Sequence, residues 1–390
     1  MNLKKIKAFA VTAVGILSLL FVFTACSNDP VEIPDDDSDV VSINSDLIGK
    51  DDEEEVKEEE IDEDLLETKE GCVRSELTNE WIDESLEKQR PIAVMVDNEL
   101  TALDHYGVNQ SDVVYELMNS TANGRITRLM CIIKDWEKIE QLGSIRSTRT
   151  TNVMLSFEWN AILVHDGGPF YIDGYIAMPQ CNHLSGGFAR YSNGKNSEFT
   201  EYVTYEDYKN PTTGKSYNGL KKRLDDAGFS LDYNKYYEGK HWEFSKGDNK
   251  IGEMKGAKNV KQIDLPFPHN KSQLKYDSEN KVYEYYEYGK AHIDALDGET
   301  TSFKNVILEC ISFTQLDVNG YLTYNVTDST SHEGYYVTNG SAVPITWTKA
   351  TPEGITHYYY KSTGEEIKLN TGKTYIAFVP ADSWDDLELK

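Results

Sequence analysis

Pro91-Ile92-Ala93-Val94-Met95-Val96-Asp97-Asn98 is a short apolar run that opens on proline and closes on two polar turn formers. A run of this length with no polar alternation suits a strand buried on both faces. Residues 112–118, 126–134 and 161–165 repeat the pattern and predict three more strands. Before the last of these, Gly143-Ser144-Ile145-Arg146-Ser147-Thr148-Arg149 leads into residues 151–159, where Val153, Met154, Leu155, Phe157 and Trp159 predict a helix entered from a loop. A second helix is expected over residues 219–227, closed by Gly228 as its C-cap. Strands interleaved with helices imply a mixed α/β domain over residues 80–245.

Residues 246–390 differ in kind. Short runs rich in Val, Ile, Thr and Tyr are separated by turn signals: Asp277-Ser278-Glu279-Asn280, Asn319-Gly320, Asn339-Gly340, Ser362-Thr363-Gly364 and Thr371-Gly372. Asn-Gly between such runs is a strong hairpin cue, so a mostly antiparallel β domain is expected. The fold class read from the chain is therefore α+β, a mixed α/β domain followed by a β domain. The tyrosines of the second part, Tyr283, Tyr285, Tyr286, Tyr288, Tyr335, Tyr336, Tyr358, Tyr359 and Tyr360, offer a sugar-stacking platform or ordinary strand packing, and packing is the commoner use.

The chain has 390 residues, 39% apolar and 11% aromatic, enough for one large domain or two ordinary ones. Its net charge of −27 repels phosphate backbones, which argues against nucleic-acid binding. Residues 1–25 read as an export signal: Lys4, Lys5 and Lys7 precede an apolar run too short for a comfortable span. The run ends in Phe23-Thr24-Ala25-Cys26, which resembles the site where a lipoprotein is cut and its Cys lipidated. Acyl chains on Cys26 would hold the protein at the membrane surface. Residues 27–70 carry 20 acidic against 3 basic side chains, so residues 26–79 are expected to form a lipidated, self-repelling tether. Of the other four cysteines, Cys131 and Cys310 sit in strand-like runs and Cys72 and Cys181 in polar surroundings, with no CxxC among them.

Five motifs follow one another at compact spacing: residues 91–98, Ser111-Asp112-Val113-Val114-Tyr115-Glu116, Gly124-Arg125-Ile126-Thr127-Arg128, residues 143–149, and His165-Asp166-Gly167-Gly168. With Glu333-Gly334-Tyr335-Tyr336, Thr346-Trp347-Thr348-Lys349 and residues 365–374 they resemble the YerB-like family of bacterial lipoproteins over about residues 80–380. The resemblance implies the two-part fold and an envelope location, but no reaction. Two departures stand out: Pro169-Phe170 replaces the Ser-Pro usual after the paired glycines, and residues 199–203 replace a segment that carries a His in the family.

Arg128, Arg146 and Arg149 stand beside a Glu and a His within these motifs. Arg146 and Arg149 are three apart at a helix entrance, so with Ser147 and the Gly167-Gly168 turn they form a candidate anion site. Guanidinium suits bidentate recognition of carboxylate or phosphate, which peptidoglycan stem peptides and other anionic envelope polymers both offer. The alternative is that the arginines pair with Glu116, Asp112 or Asp97 and lock loops over a sheet edge. Glu116 and His165 are the candidate catalytic pair, as acid and base at strand ends. His105, His183, His241 and His269 show no ligand spacing, so no metal and no cofactor is expected. Two functions follow from these readings. One is a non-catalytic module on the outer face of the cell membrane that binds an anionic wall component or an envelope protein. The other is an enzyme acting on wall polymer, by glycan cleavage or phosphoryl transfer, through Glu116, His165 and the arginines.

Overall fold

The computed structural model describes residues 62–327 and 332–390. The export signal, Cys26 and the tether up to residue 61 lie outside the described residues. The described residues form one compact unit. Its frame is an eleven-stranded sheet. In chain order the strands are β1 (Ile92–Asp97), β2 (Val113–Met118), β3 (Thr127–Ile133), β4 (Ile162–His165), β5 (Asn182–Ser185), β6 (Lys258–Asn259), β7 (Asn305–Ile311), β8 (His332–Thr338), β9 (Ser341–Thr348), β10 (His357–Tyr360) and β11 (Thr374–Pro380). Across the sheet the order is β6-β9-β8-β7-β11-β2-β3-β1-β4-β5, with β10 also paired to β9.

The four strands expected in the first part are present, each within one or two residues of its predicted bounds. The broad α+β class holds, with β structure predominant. The sheet does not stop at residue 245, however. Strand β11 hydrogen-bonds in parallel to β7 on one side and to β2 on the other, Tyr375 lying opposite Val306 and Val114. The two sequence segments therefore share one sheet and one pair of cores. A chain terminus added as a central parallel strand is invisible to local pattern, because nothing in its sequence names its neighbour.

Strands buried on both faces read as continuous apolar runs, and β1, β2, β3 and β11 are buried at every position. Alternate side chains feed two cores. On one face Met95, Tyr115, Met130 and Leu163 pack with Val153, Leu155 and Phe157 of helix α1 (Thr150–Glu158). On the other, Val94, Val114, Leu129 and Val306 meet Leu220 and Leu224 of α2 (Leu220–Ala227). They also meet Ile263, Leu274, Tyr283 and Phe303 of a second, six-stranded sheet. Gly228 closes α2 in the left-handed conformation at φ 64°, as a C-cap glycine does. Each buried Val, Leu or Phe contributes about 1.5–3 kcal/mol by leaving water. The hairpin turns at Asn319-Gly320 and Asn339-Gly340 are where the sequence put them.

Structure begins before the expected boundary at residue 80. Cys72–Arg74 pairs with Trp81–Asp83, Arg74 stacks on Trp81 at 3.9 Å, and Leu77 is wholly buried in the first core. Its acidic flanks hide this apolar anchor from a composition-based reading. The four cysteines at 72, 131, 181 and 310 are free thiols, and no helix among the described residues is long and apolar enough to cross a membrane. Tyr283, Tyr285, Tyr336, Tyr358 and Tyr360 are buried, so packing rather than sugar stacking is their use, while Tyr286, Tyr288, Tyr335 and Tyr359 are half-buried.

One buried ion pair ties α1 to β9. Lys349 Nζ donates to Glu158 Oε2 at 2.8 Å, and both side chains are 1% exposed. Burial alone would raise the Glu158 pKa, but the charges of Lys349 and His241 outweigh it and hold the carboxylate below its usual value. Removing one partner strands the other charge. Lys349→Met is expected to lose about 3–5 kcal/mol in urea denaturation, whereas exposed Lys246→Met should change it by less than about 0.5 kcal/mol.

Candidate functional site: an arginine pocket at the end of the sheet

Asp97 ends β1 and Arg128 is the second residue of β3, and the two face each other across the strands. Alternation puts Arg128 on the face of Met130 and Ile132, the one that α1 covers. The loop between residue 143 and α1 is stitched to this end of the sheet from both sides. Arg146 N donates to Met95 O at 2.9 Å and Asp97 N to Ser144 O at 2.9 Å, while Asp166 N donates to Arg146 O at 2.9 Å and Thr148 N to Gly167 O at 3.1 Å. Ile145, fully buried, pins the loop's middle to the core. Arg146, Ser147 and Arg149 are thereby delivered beside Arg128.

Together these four residues line a cavity of about 570 Å³. Asn119, Ser120, Asn319 and Tyr321 line it too, as do Asn196, Glu198 and Phe199. Charge is unevenly matched inside. Asp97 Oδ2 lies 2.6 Å from Arg146 Nε and its Oδ1 lies 3.8 Å from Arg128 Nη2, so one carboxylate serves two guanidiniums. Glu198 adds a contact of 2.8 Å to Arg146 Nη2 at the rim. Arg149 has no carboxylate within ion-pair distance among the described residues. It donates Nη1 to Thr148 O at 2.8 Å and lies over the Tyr321 ring at 4.9 Å. The Nε donors of Arg128 and Arg149 are buried and have no hydrogen-bond partner, and neither has Asn119 Oδ1. Burial, then the neighbouring charge of Arg128, pulls the Arg149 pKa down. Guanidinium keeps its proton, so Arg149 holds its charge in a place where burial and two neighbouring guanidiniums disfavour it. Glu99 also lines the cavity, which makes selection a matter of directed donors rather than of a broad positive field.

Other expected residues fall elsewhere. Glu116 shares its face with Val114, opposite to Arg128, and is fully buried. Thr127 Oγ1 and Ser272 Oγ each donate to its Oε1 at 2.6 Å, Tyr285 OH donates to Oε2 at 3.0 Å, and Tyr375 OH donates to Oε2 as well. A carboxyl enclosed by four hydroxyls touches no substrate, so the catalytic role expected for it is withdrawn. It ties β2 to β3, β11 and the second sheet. His165 is 2% exposed, with Nδ1 donating to Gly167 O at 2.7 Å and Nε2 against His183 Nδ1 at 3.0 Å. Both nitrogens are occupied, so it too is corrected from base to brace. Gly167 and Gly168 do not line the cavity. They hold the loop from behind: a Cβ on Gly168 would stand 2.3 Å from Ile172 Cδ1, and Gly167 has φ +75°. Sequence reading missed Tyr321, Phe199 and Asn119. Asn319-Gly320 was a signal, but one that announced only a turn.

A wider groove of about 700 Å³ lies along Leu265, Pro266, Phe267 and Pro268. Its one arginine, Arg125, is already held by both oxygens of Asp382 at 2.8 and 2.7 Å, so no guanidinium there lacks a carboxylate.

Two family models match this chain, described as the N-terminal and the C-terminal domain of DUF3048, a protein of unknown function. They cover residues 77–223 and 263–376, well over half of the chain. The chain belongs to the DUF3048 family. All four residues of the pocket that the sequence suggested, and the Glu116 cage's Ser272 and Tyr375, lie within the matched segments. A Bacillus subtilis (strain 168) protein named "Putative lipoprotein YerB" is 22% identical over 320 residues, which cover 80% of this chain and 85% of that one. The crystal structure of YerB from Bacillus subtilis superposes with a TM-score of 0.61 at 19% identity, over 82% of this chain and 99% of that chain. At that identity the likeness carries the fold.

Burial pushes the His165 imidazole down to about 4 from an ordinary 6.5. The unfolded chain therefore takes up its proton first as pH falls. The stability this neutral ring supplies is complete above about pH 6.5 and is lost between about 6.5 and 4. His165→Gln should make the acid limb of a stability-against-pH curve shallower, as read by urea midpoints, and leave the midpoint's trend above pH 7 unchanged.

Proposed function

We propose that this chain is a lipoprotein of the cell envelope, anchored by Cys26 on the outer face of the cell membrane, that holds an anionic wall component in its arginine pocket without chemically altering it. The observation that carries the reading is Arg149: a guanidinium lodged among protein atoms, stacked on Tyr321, with a buried Nε donor unpaired and, among the described residues, no carboxylate within ion-pair distance. Buried donors are ordinarily satisfied, and a planar fork short of a partner suits a carboxylate or phosphate oxygen pair. Asn119 Oδ1 is an unpaired acceptor in the same cavity, suited to a hydroxyl or amide hydrogen, so the ligand class is a polymer bearing both anionic and neutral polar groups. The relative's name, the Cys26 motif and the acidic stretch after it support the anchored location. The separation of Glu116 from the arginines favours binding over catalysis.

Two measurements test this. The purified full chain is sedimented with isolated wall sacculi, and Arg149→Ala should weaken retention about ten- to a hundredfold, the loss of about 1.5–3 kcal/mol expected for a charge-assisted hydrogen bond. Arg125→Ala, outside the pocket, should leave it unchanged. Equal retention by the wild type and Arg149→Ala contradicts the reading, and release of soluble wall fragments would replace it with an enzymatic one. Separately, Cys26→Ser should move the protein from the membrane fraction to the soluble one.

A further inference from the structure

On the opposite face of the sheet from Arg128, three buried side chains converge that the anion pocket does not use. His105 follows β1 in the chain, Glu287 ends the strand Val282–Glu287 of the second sheet, and His292 follows its neighbour Lys290–Ala291. One donor atom of each lies within 4.8 Å of the other two. His105 Nδ1 and His292 Nε2 are 2.8 Å apart, and Glu287 Oε1 is 3.7 Å from His292 Nε2.

The outer ring nitrogens are already engaged. His105 Nε2 lies 2.6 Å from the carbonyl oxygen of Asp97, and His292 Nδ1 lies 2.8 Å from Thr301 Oγ1. A carbonyl only accepts, so His105 carries its proton on Nε2 and turns the Nδ1 lone pair inward. In the metal-free chain His292 Nε2 therefore donates to His105 Nδ1 and Thr301 Oγ1 donates to His292 Nδ1; moving that one proton to His292 Nδ1, where Thr301 Oγ1 can accept it, would free the Nε2 lone pair for an ion. The third member is the unexplained one. Glu287 is 2% exposed, and its carboxyl oxygens make no well-aligned hydrogen bond, with Asn98, Asn270 and Tyr285 as their polar neighbours. Two buried imidazoles, each braced at its outer nitrogen, and a buried carboxyl converging on one point are the donor set of a two-histidine, one-carboxylate metal centre.

We infer that His105, His292 and Glu287 bind one divalent transition-metal ion, with zinc the best fit, in a buried site that fastens the second sheet to the end of β1. Bonds of about 2.0–2.1 Å at tetrahedral angles set ligand atoms about 3.3 Å apart; two of the three pairs stand at 2.8 and 3.7 Å and the third within 4.8 Å, so the ion would part the two imidazoles and draw Glu287 in. The nitrogen donors select against Mg²⁺ and Ca²⁺, which take oxygen. The site is enclosed, so the ion enters as the chain folds. Sequence spacing could not announce it, because His105 and His292 are 187 residues apart and meet only through the packing of the two sheets.

The test uses the full, untagged chain, refolded with one equivalent of Zn²⁺ or Co²⁺ in excess Mg²⁺, which occupies the acidic stretch. Bound metal is counted after gel filtration, and the Co²⁺ form is read by its visible absorption. About one ion per chain, the intense bands of four-coordinate cobalt with nitrogen ligands, and a higher melting temperature than the metal-free form are expected. Glu287→Gln and His292→Gln should lose the ion, and Thr301→Val, which keeps all three ligands, should weaken affinity about tenfold or more. A folded wild type holding less than about a tenth of an ion overturns the inference, as does metal content unchanged in folded Glu287→Gln and His292→Gln. If those two variants fail to fold, the wild-type cobalt spectrum decides: bands lacking nitrogen ligation overturn it.

Discussion

Strand β11 is the constraint on which the molecule depends. It is drawn from the last part of the chain, lies between β7 and β2, and bonds to both in parallel, so neither half of the sequence owns the sheet. Its side chains serve both cores: Ile376 and Phe378 on one face, Tyr375, Ala377 and Val379 on the other. The same strand carries the hydroxyl of Tyr375 to Glu116, where strands from both halves and the second sheet meet in one buried hydrogen-bond cluster. Breaking that pairing would open two cores at once, and a cooperative unit follows from it.

The pocket is a consequence of where the sheet ends. Apolar side chains fill the strands up to Val96 and Leu129, and at the next position on each strand the sheet switches to Asp97 and Arg128. The loop that follows Gly143 returns along this edge and brings two more arginines, which the single buried carboxylate does not balance. Buried Arg-carboxylate networks often serve only as locks, and Asp97 between Arg128 and Arg146 is one. Arg149 lies outside that lock. Asp97 is also the hinge between the two polar centres: its carboxylate holds the arginines, while its backbone carbonyl lies against His105. The two centres thus sit on opposite sides of one residue.

Much of the architecture was readable in the chain. The run at residues 91–98, the helix after Arg149, the glycine closing α2 and the Asn-Gly hairpins are local patterns, set by side-chain period and backbone sterics, and local patterns survive in sequence. The convergence of Arg128, Arg146, Ser147 and Arg149 was readable for the same reason, since motif order placed them at strand and helix ends. What local pattern could not supply was anything that depends on a distant partner. Glu116 looked like a strand-end acid until Ser272, Tyr285 and Tyr375 enclosed it, and His165 looked free until His183 of the next strand covered it. The single sheet spanning both segments and the buried Leu77 in an acidic stretch were missed on the same ground.

The most direct measurement is made at the Arg149 guanidinium itself. With arginine side chains labelled with ¹⁵N, the Nε–H signals of Arg128 and Arg149 are followed while solubilised anionic wall polymer is added to the full chain. Saturable shifts of both, with the signal of Arg125 unmoved, are the predicted result. Binding of the polymer with the Arg128 and Arg149 signals in place would contradict an anion site in this pocket.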